Sequence, residues 1–116
     1  MNNQTPQTEL TTEAAIAAFC SHLSAESRAE GTITAYKRDL CLVARVAGWS
    51  RCADATPALL DRAFSSDEVL QCPKGARSPA SLHRMKAAVR SFFGWTSDMG
   101  ITPDNPARSL RMKRLP

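Results

Sequence analysis

The segment "SPASLHRMKAAVRSFFGWTSDMG", residues 78–100, is the strongest indication of the fold, because it combines apolar residues at helical spacing with signals for the start and the end of a helix. Ser78 is a suitable N-cap, Pro79 suits the first helical position, and Gly100 suits the position that ends a helix. A helix of this length spans about 30 Å, so we expect it to cross the whole domain. The residues that recur at helical spacing and are predicted to face the core are Leu82, Met85, Val89, Phe92, Phe93 and Thr96.

Three further helices are predicted upstream of this segment. The first, "TEAAIAAFCSHLSAE", is capped by Thr11 or Thr12. The second, "ITAYKRDLCLVARVAG", follows a turn at Gly31 and is capped by Thr32, and the third, "ATPALLDRAF", is capped by Thr56. The sequence therefore predicts an all-α fold, a small orthogonal bundle of four main helices plus short helical pieces.

The remaining segments are assigned to short helical pieces, loops and tails. "SSDEVLQC" is predicted to continue the third helix as another short helical stretch or as a turn, and "PKGARS" to form a loop. Strand-like alternation is absent, Trp49 is expected to fold back onto the core, and Asn105 before Pro106 favours one last short helix. The predicted domains are a flexible N-terminal tail (residues 1–10), a helical domain (11–107) and a basic segment (108–116).

The composition restricts the class of protein. With 116 residues and 43% hydrophobic residues, the chain suits one domain with a single core. No long apolar run or secretory signal occurs, so we expect a cytoplasmic protein without a membrane partner. The four cysteines form no CxxC pair, and His22 and His83 do not complete a zinc-binding pattern. Two disulfides would suit a secreted protein, but nothing in the sequence indicates export, so free thiols are expected. We also expect no metal, no cofactor and no small-molecule substrate.

The charge is distributed unevenly along the chain. Residues 1–58 contain five Lys or Arg against six Asp or Glu, whereas residues 59–116 contain ten against five. Such an asymmetry is typical of a surface that faces a polyanion. An ordinary solvated helix surface remains the alternative.

The segments "GTITAYKRDLCLVARVAGW" and "SPASLHRMKAAVRSFFGWTSDMGITPDNPARSLRMKRLP" together resemble the N-terminal core-binding (SAM-like) domain of the tyrosine recombinase, or phage integrase, family. That family has a T-x-x-x-Y-x-x-D-L helix, an S-P-x-T-x-x-x-x-L-x-A-L-R-x-F-F helix and an N-P-A ending. The matching residues are Thr32, Tyr36, Asp39 and Leu40; Ser78, Pro79, Ser81, Ala88, Val89, Arg90, Phe92 and Phe93; and Asn105, Pro106 and Ala107. Lys86 departs from the family's usual apolar residue, which predicts a lysine at the edge of the core.

The resemblance implies a domain that clamps one face of a DNA duplex at a recombination site during integration or recombination. In the family, a separate catalytic domain carries an Arg, Lys, His and Arg set with a tyrosine that joins covalently to a DNA 3′-phosphate. No H-x-x-R box occurs here, and Tyr36 lies on an apolar stripe, so we expect this chain itself not to be an enzyme. The resemblance further implies double-stranded DNA as partner, a homo-oligomer on DNA, a bacterial or phage source, and residues 108–116 as a linker to a catalytic domain.

Candidate DNA contacts follow from the resemblance and from helix geometry. The long helix borders the major groove with its N-terminal part in this family, and the N-terminus of the second helix suits phosphate oxygens. Small residues opposite the apolar side, among them Ala87, Ala88 and Ser91, are predicted to permit close approach to a groove. The candidates are polar or basic: Thr34, Lys37, Arg38, Arg77, Ser78, Ser81, Arg84, Arg90, Arg111, Lys113 and Arg114.

Two other function classes are compatible with a small helical domain. One is a protein-interaction module without base readout, which would use an apolar groove near Trp95 and Met99. The other is a helix-turn-helix regulator, but residues 48–78 separate the second helix from the long one, and that motif needs a short turn. The aromatic residues are predicted to fill the core rather than to stack on bases.

Overall fold

The computed structural model describes residues 10–110, and most of them are helical. The prediction of a mainly α-helical domain with four main helices and short pieces is confirmed. The elements in chain order are α1 (Thr12–Ala25), α2 (Glu30–Ala47), a 3-10 helix (Cys52–Asp54), α3 (Pro57–Ser65), α4 (Asp67–Leu70), the strands β1 (Gln71–Cys72) and β2 (Gly75–Ala76), and α5 (Pro79–Asp98).

Local side-chain caps start three of the helices. The hydroxyl of Thr11 accepts a hydrogen bond from the third residue of α1, that of Thr56 from the third residue of α3, and that of Ser78 from the third residue of α5, at 3.1, 3.2 and 3.1 Å. These hydrogen bonds satisfy N–H groups that have no partner within a helix. The predicted caps of these helices are therefore confirmed.

The predicted start of α2 is wrong. The helix begins at Glu30, its N-cap Ala29 provides no side-chain hydrogen bond, and both Gly31 and Thr32 lie inside the first turn. The chain reverses earlier, because Ser27 adopts a left-handed conformation with φ of 64°. Gly31 is thus not needed for the turn, and Thr32 has no cap to form.

A short hairpin replaces the predicted loop between α4 and α5. Residues 71 and 72 pair antiparallel with residues 76 and 75 around a two-residue turn. Gly75 has a φ of 116°, which side-chain-bearing residues rarely adopt. The prediction that no strand occurs is wrong here, because strands of two residues are too short to show an alternating pattern.

An aromatic cluster forms the centre of the core. The ring of Phe92 lies 5.5 Å from that of Phe19 and 4.9 Å from that of Phe93, between centroids. Trp49 lies 5.3 Å from Phe93 and is fully buried, so the prediction that it folds back onto the core is confirmed. Gly48, with a φ of 75°, ends α2 and permits this reversal. The helices α1, α2 and α5 thus share one core.

The segment after α5 consists of turns, and no helix begins within residues 101–110. The side-chain oxygen of Asn105 accepts a hydrogen bond from the backbone N–H of Ala107 at 2.9 Å, and this local turn takes the place of the predicted last helix. Ile101, Ala107 and Leu110 are buried, so the core packing described by the structure continues to Leu110. Between residues 10 and 110, every helix is too short or too polar to cross a membrane.

Candidate nucleic-acid interface

Two arginines from different helices meet at one buried carboxylate. The Arg84 Nε of α5 donates a hydrogen bond to Asp39 Oδ2 of α2 at 3.0 Å. Arg38 Nε lies 3.8 Å from the other oxygen, Asp39 Oδ1. Asp39 is only 2% exposed, whereas the side chains of Arg84 and Arg38 are 39% and 66% exposed. The structure therefore brings two of the predicted DNA contacts together at the surface between α2 and α5.

The position of Asp39 on α2 explains why this carboxylate is buried. It occupies the same helix face as Tyr36, Leu40 and Val43, at helical spacing, and this face packs toward the core. A carboxylate in such a position needs a charged or hydrogen-bonding partner, because an isolated buried charge is costly. Arg84 supplies that partner from 45 residues further along the chain.

The pairing of Asp39 with Arg84 was not predicted from the sequence, in which Asp39 stood out only as part of a family motif. A signal was present, since an acidic residue inside an otherwise apolar helical stripe indicates a buried charge that requires a cation. The identity of that cation could not be read from local patterns, because several basic residues follow in α5.

The predicted contacts of α2 lie on one side of its N-terminal half. Thr34, Lys37 and Arg38 occupy positions i, i+3 and i+4, and all three are exposed. Two of them are cationic, and the third carries a short hydroxyl side chain. This combination suits the binding of phosphate oxygens. Their contact with DNA stays a prediction.

Three predicted contacts at the start of α5 also stabilise the fold. Arg77 is partly buried and donates from Nε to the Val69 carbonyl at 2.6 Å and from Nη2 to the Gln71 carbonyl at 3.3 Å. The hydroxyl of Ser78 lies 3.1 Å from both the backbone nitrogen and the hydroxyl of Ser81. Arg77 therefore ties the hairpin to the start of α5, and a role of these three residues on DNA stays a prediction.

The remaining parts of α5 correct one expectation and support another. Ala88 is fully buried, so it does not provide the open small-residue surface that we predicted, because α5 also turns this side toward the core. Lys86 lies with its Nζ 5.6 Å from the centroid of the Phe64 ring, in agreement with a lysine at the core edge. Arg90 is exposed and lies about 120° around α5 from Arg84, at 100° per residue. Its contact with DNA stays a prediction.

Three predicted contacts lie outside the described residues, namely Arg111, Lys113 and Arg114. The last basic residue that the structure describes, Arg108, forms an exposed ion pair with Asp104, with Nη2 3.0 Å from Oδ1. Exposed pairs of this kind contribute little to stability, so Arg108 is available to exchange partners.

The thiol and carboxylate groups do not form a metal-binding cluster anywhere within residues 10–110. All four cysteines are free thiols. Burial raises the pKa of Cys52 to about 12, and burial also raises the pKa of Cys20, against the opposing effect of nearby Lys37. Neither thiol is therefore activated as a nucleophile.

Comparison with known proteins gives relatives of one kind. A protein named tyrosine recombinase XerC from Xanthomonas campestris pv. campestris (strain B100) is 33% identical over 107 residues, which cover 90% of this chain and 32% of the relative. Tyrosine recombinase XerC of Chromobacterium violaceum is 32% identical over 106 residues, covering 88% of this chain and 34% of the relative. The protein of the same name from Pseudomonas syringae pv. syringae (strain B728a) is 35% identical over 100 residues, covering 80% and 31%.

These matches concern one part of longer proteins. The chain spans about a third of the length of the curated relatives that it matches. No solved structure gives a significant match. The model of the phage integrase N-terminal SAM-like domain matches residues 16–100, which is most of the chain. The chain therefore belongs to the family of phage integrase N-terminal SAM-like domains.

Proposed function

We propose that this chain is the DNA-binding, core-binding domain of a site-specific tyrosine recombinase and that it clamps one face of a duplex recombination site. Its membership of the phage integrase N-terminal family and its similarity to bacterial proteins named tyrosine recombinase support this proposal. Because those relatives are bacterial, the DNA in question would lie in the cytoplasm.

The observation that carries the proposal is the convergence of Arg38 and Arg84 on Asp39 at the surface between α2 and α5. Lys37 and Thr34 lie on the same side of α2 as Arg38, which extends the polar surface along that helix. A surface that presents several cations at fixed positions suits the regular spacing of DNA phosphates. The arrangement favours a duplex over a small anion, because it extends over two helices rather than forming an enclosed pocket.

We propose that the domain itself binds and orients DNA and does not take part in strand cleavage. The family match covers an N-terminal domain, and the strand-cleaving chemistry of a tyrosine recombinase would reside in a further domain of the parent protein. The division into a helical domain (11–107) and a basic linker (108–116) remains part of this proposal, and the buried side chain of Leu110 extends the packing of the helical domain three residues into the predicted linker. Assembly into a homo-oligomer on DNA is part of it as well.

Titration with duplex DNA at several salt concentrations tests the proposal. Neutralising about four phosphates predicts a log–log salt slope near −3.6, from about −0.9 per phosphate. Arg38→Ala and Arg84→Ala should each weaken binding and reduce the size of the slope by about 0.9. Arg62→Ala serves as the control, because Arg62 is an exposed arginine on α3 outside the predicted interface. If both interface variants are folded and bind like the wild type, the proposed interface is wrong.

A second candidate function rests on one exposed apolar side chain. Met99 is 55% exposed and follows the partly buried Trp95 by one helical turn. A single exposed apolar side chain is common on protein surfaces, so contact of Met99 with another protomer rests on the test that follows. Sedimentation without DNA checks this alternative: concentration-dependent association that Met99→Ser abolishes would favour it, and a monomer at all concentrations would argue against it.

A further inference from the structure

We propose that Asp39 is a positioning residue for DNA recognition, which holds the guanidinium group of Arg84 in a fixed orientation before DNA binds. This inference rests on the proposed function. It assigns to a buried acidic residue a role in binding a polyanion, although its charge alone would oppose such binding.

The geometry of the Arg84 side chain is the first argument. Arginine has five N–H donors, of which Nε carries one, and this one is engaged by Asp39 Oδ2 at 3.0 Å. The four N–H groups on the two Nη atoms have no hydrogen-bond partner within residues 10–110. A guanidinium fixed through Nε therefore still presents two donors side by side, as needed for a phosphate or for the O6 and N7 atoms of guanine.

The surroundings of Asp39 are the second argument. Its side chain is almost fully buried, and its two oxygens form ion pairs with Arg84 and Arg38. The carboxylate therefore cannot turn away to water, and its orientation fixes that of Arg84. A long side chain that is already ordered loses less conformational freedom when it binds, so it binds more tightly and selects its partner more strictly.

The sign of the effect separates this role from simple electrostatics. Removing a negative charge next to a DNA-binding surface should tighten binding if only net charge matters. If Asp39 orients Arg84, the isosteric substitution Asp39→Asn should instead weaken binding. A purely structural role in joining α2 to α5 would change the free energy of unfolding but would leave the affinity of the folded protein unchanged.

A double-mutant cycle on DNA affinity tests the proposal. Wild type, Asp39→Asn, Arg84→Ala and the double variant are titrated with a fluorescent duplex of mixed sequence, at a temperature at which circular dichroism shows each to be folded. We expect Asp39→Asn to weaken binding about tenfold, which corresponds to the loss of one well-placed charged contact. In the Arg84→Ala background, the same substitution should weaken binding much less, because the guanidinium that Asp39 orients is then absent and only Arg38, at 3.8 Å, still lies beside the carboxylate.

Arg84→Lys provides a second test that leaves Asp39 unchanged. Lysine retains the charge but lacks the planar fork, so we expect binding nearly as weak as that of Arg84→Ala. The proposal is overturned if Asp39→Asn binds as tightly as wild type or more tightly, or if it weakens binding equally in both backgrounds. If Asp39→Asn does not fold, wild-type affinity of Arg84→Lys overturns it. Failure of the wild type to bind duplex DNA would instead refute the proposed function itself.

Discussion

Replacing Arg84 with alanine should destabilise the fold, because it removes the partner of a buried carboxylate. A hydrogen bond to a charged group contributes about 1.5–3 kcal/mol, and breaking a fully buried ion pair costs about 3–5 kcal/mol. The Arg84 side chain is 39% exposed, so solvent screening lowers the effect, and we expect a loss of about 2 kcal/mol. The free energy of unfolding of a small domain falls by about 1.5 kcal/mol per molar urea, so the urea concentration at the unfolding midpoint should fall by about 1.3 M.

Urea denaturation followed by tryptophan fluorescence measures this loss, since Trp49 is buried in the core and Trp95 packs against it. The control is Arg90→Ala, which removes an exposed arginine of the same helix and should change the free energy of unfolding by less than about 0.5 kcal/mol. Adding Asp39→Asn to Arg84→Ala should restore part of the loss, because no unpaired charge then remains buried. Equal midpoints for the Arg84 and Arg90 variants would show that the contact of Arg84 with Asp39 does not stabilise the fold.

Other expectations concern the helix cap, the core and the thiols. Ala29→Ser should stabilise the domain by about 0.5–1 kcal/mol in urea denaturation, because α2 lacks a side-chain N-cap. Phe92→Ala should cost about 3–5 kcal/mol in the same assay, whereas Met99→Ala, at an exposed position, should cost less than about 0.5 kcal/mol. In mass-spectrometric labelling, exposed Cys41 should react in the native state and buried Cys52 only after unfolding. Burial raises the pKa of the Cys52 thiol from 9.0 to about 12. The contribution of Cys52 to the free energy of unfolding should therefore be complete below pH 9.0 and lost as the pH rises toward about 12. Alkaline denaturation of Cys52→Ala beside the wild type checks this expectation.

Much of the fold follows from local signals in the sequence. The caps at Thr11, Thr56 and Ser78 and the apolar period of α5 depend on residues close to each other in the chain, so they could be predicted. The start of α2 could not, because a left-handed Ser27 reverses the chain before Gly31, and serine gives no strong signal for that conformation.

The candidate site was predictable only in part. The resemblance to a family pointed to Arg38 and Arg84, but their common partner Asp39 is a tertiary contact that no local pattern specifies. The expectation for Ala88 failed for a related reason, since a small residue on a helix flank suits a groove and a close helix contact equally well. Packing of α5 in the core decided between them.

A nuclear magnetic resonance titration of the ¹⁵N-labelled wild-type protein with a short DNA duplex tests most directly whether the surface between α2 and α5 binds DNA. We predict that the largest changes in amide shift occur in residues 34–38 and 77–84, accompanied by a change in the side-chain Nε–H resonance of Arg84. Changes confined to the Met99 end of α5, or no change at all upon addition of duplex, would contradict the assignment of the surface between α2 and α5 as a DNA-binding interface.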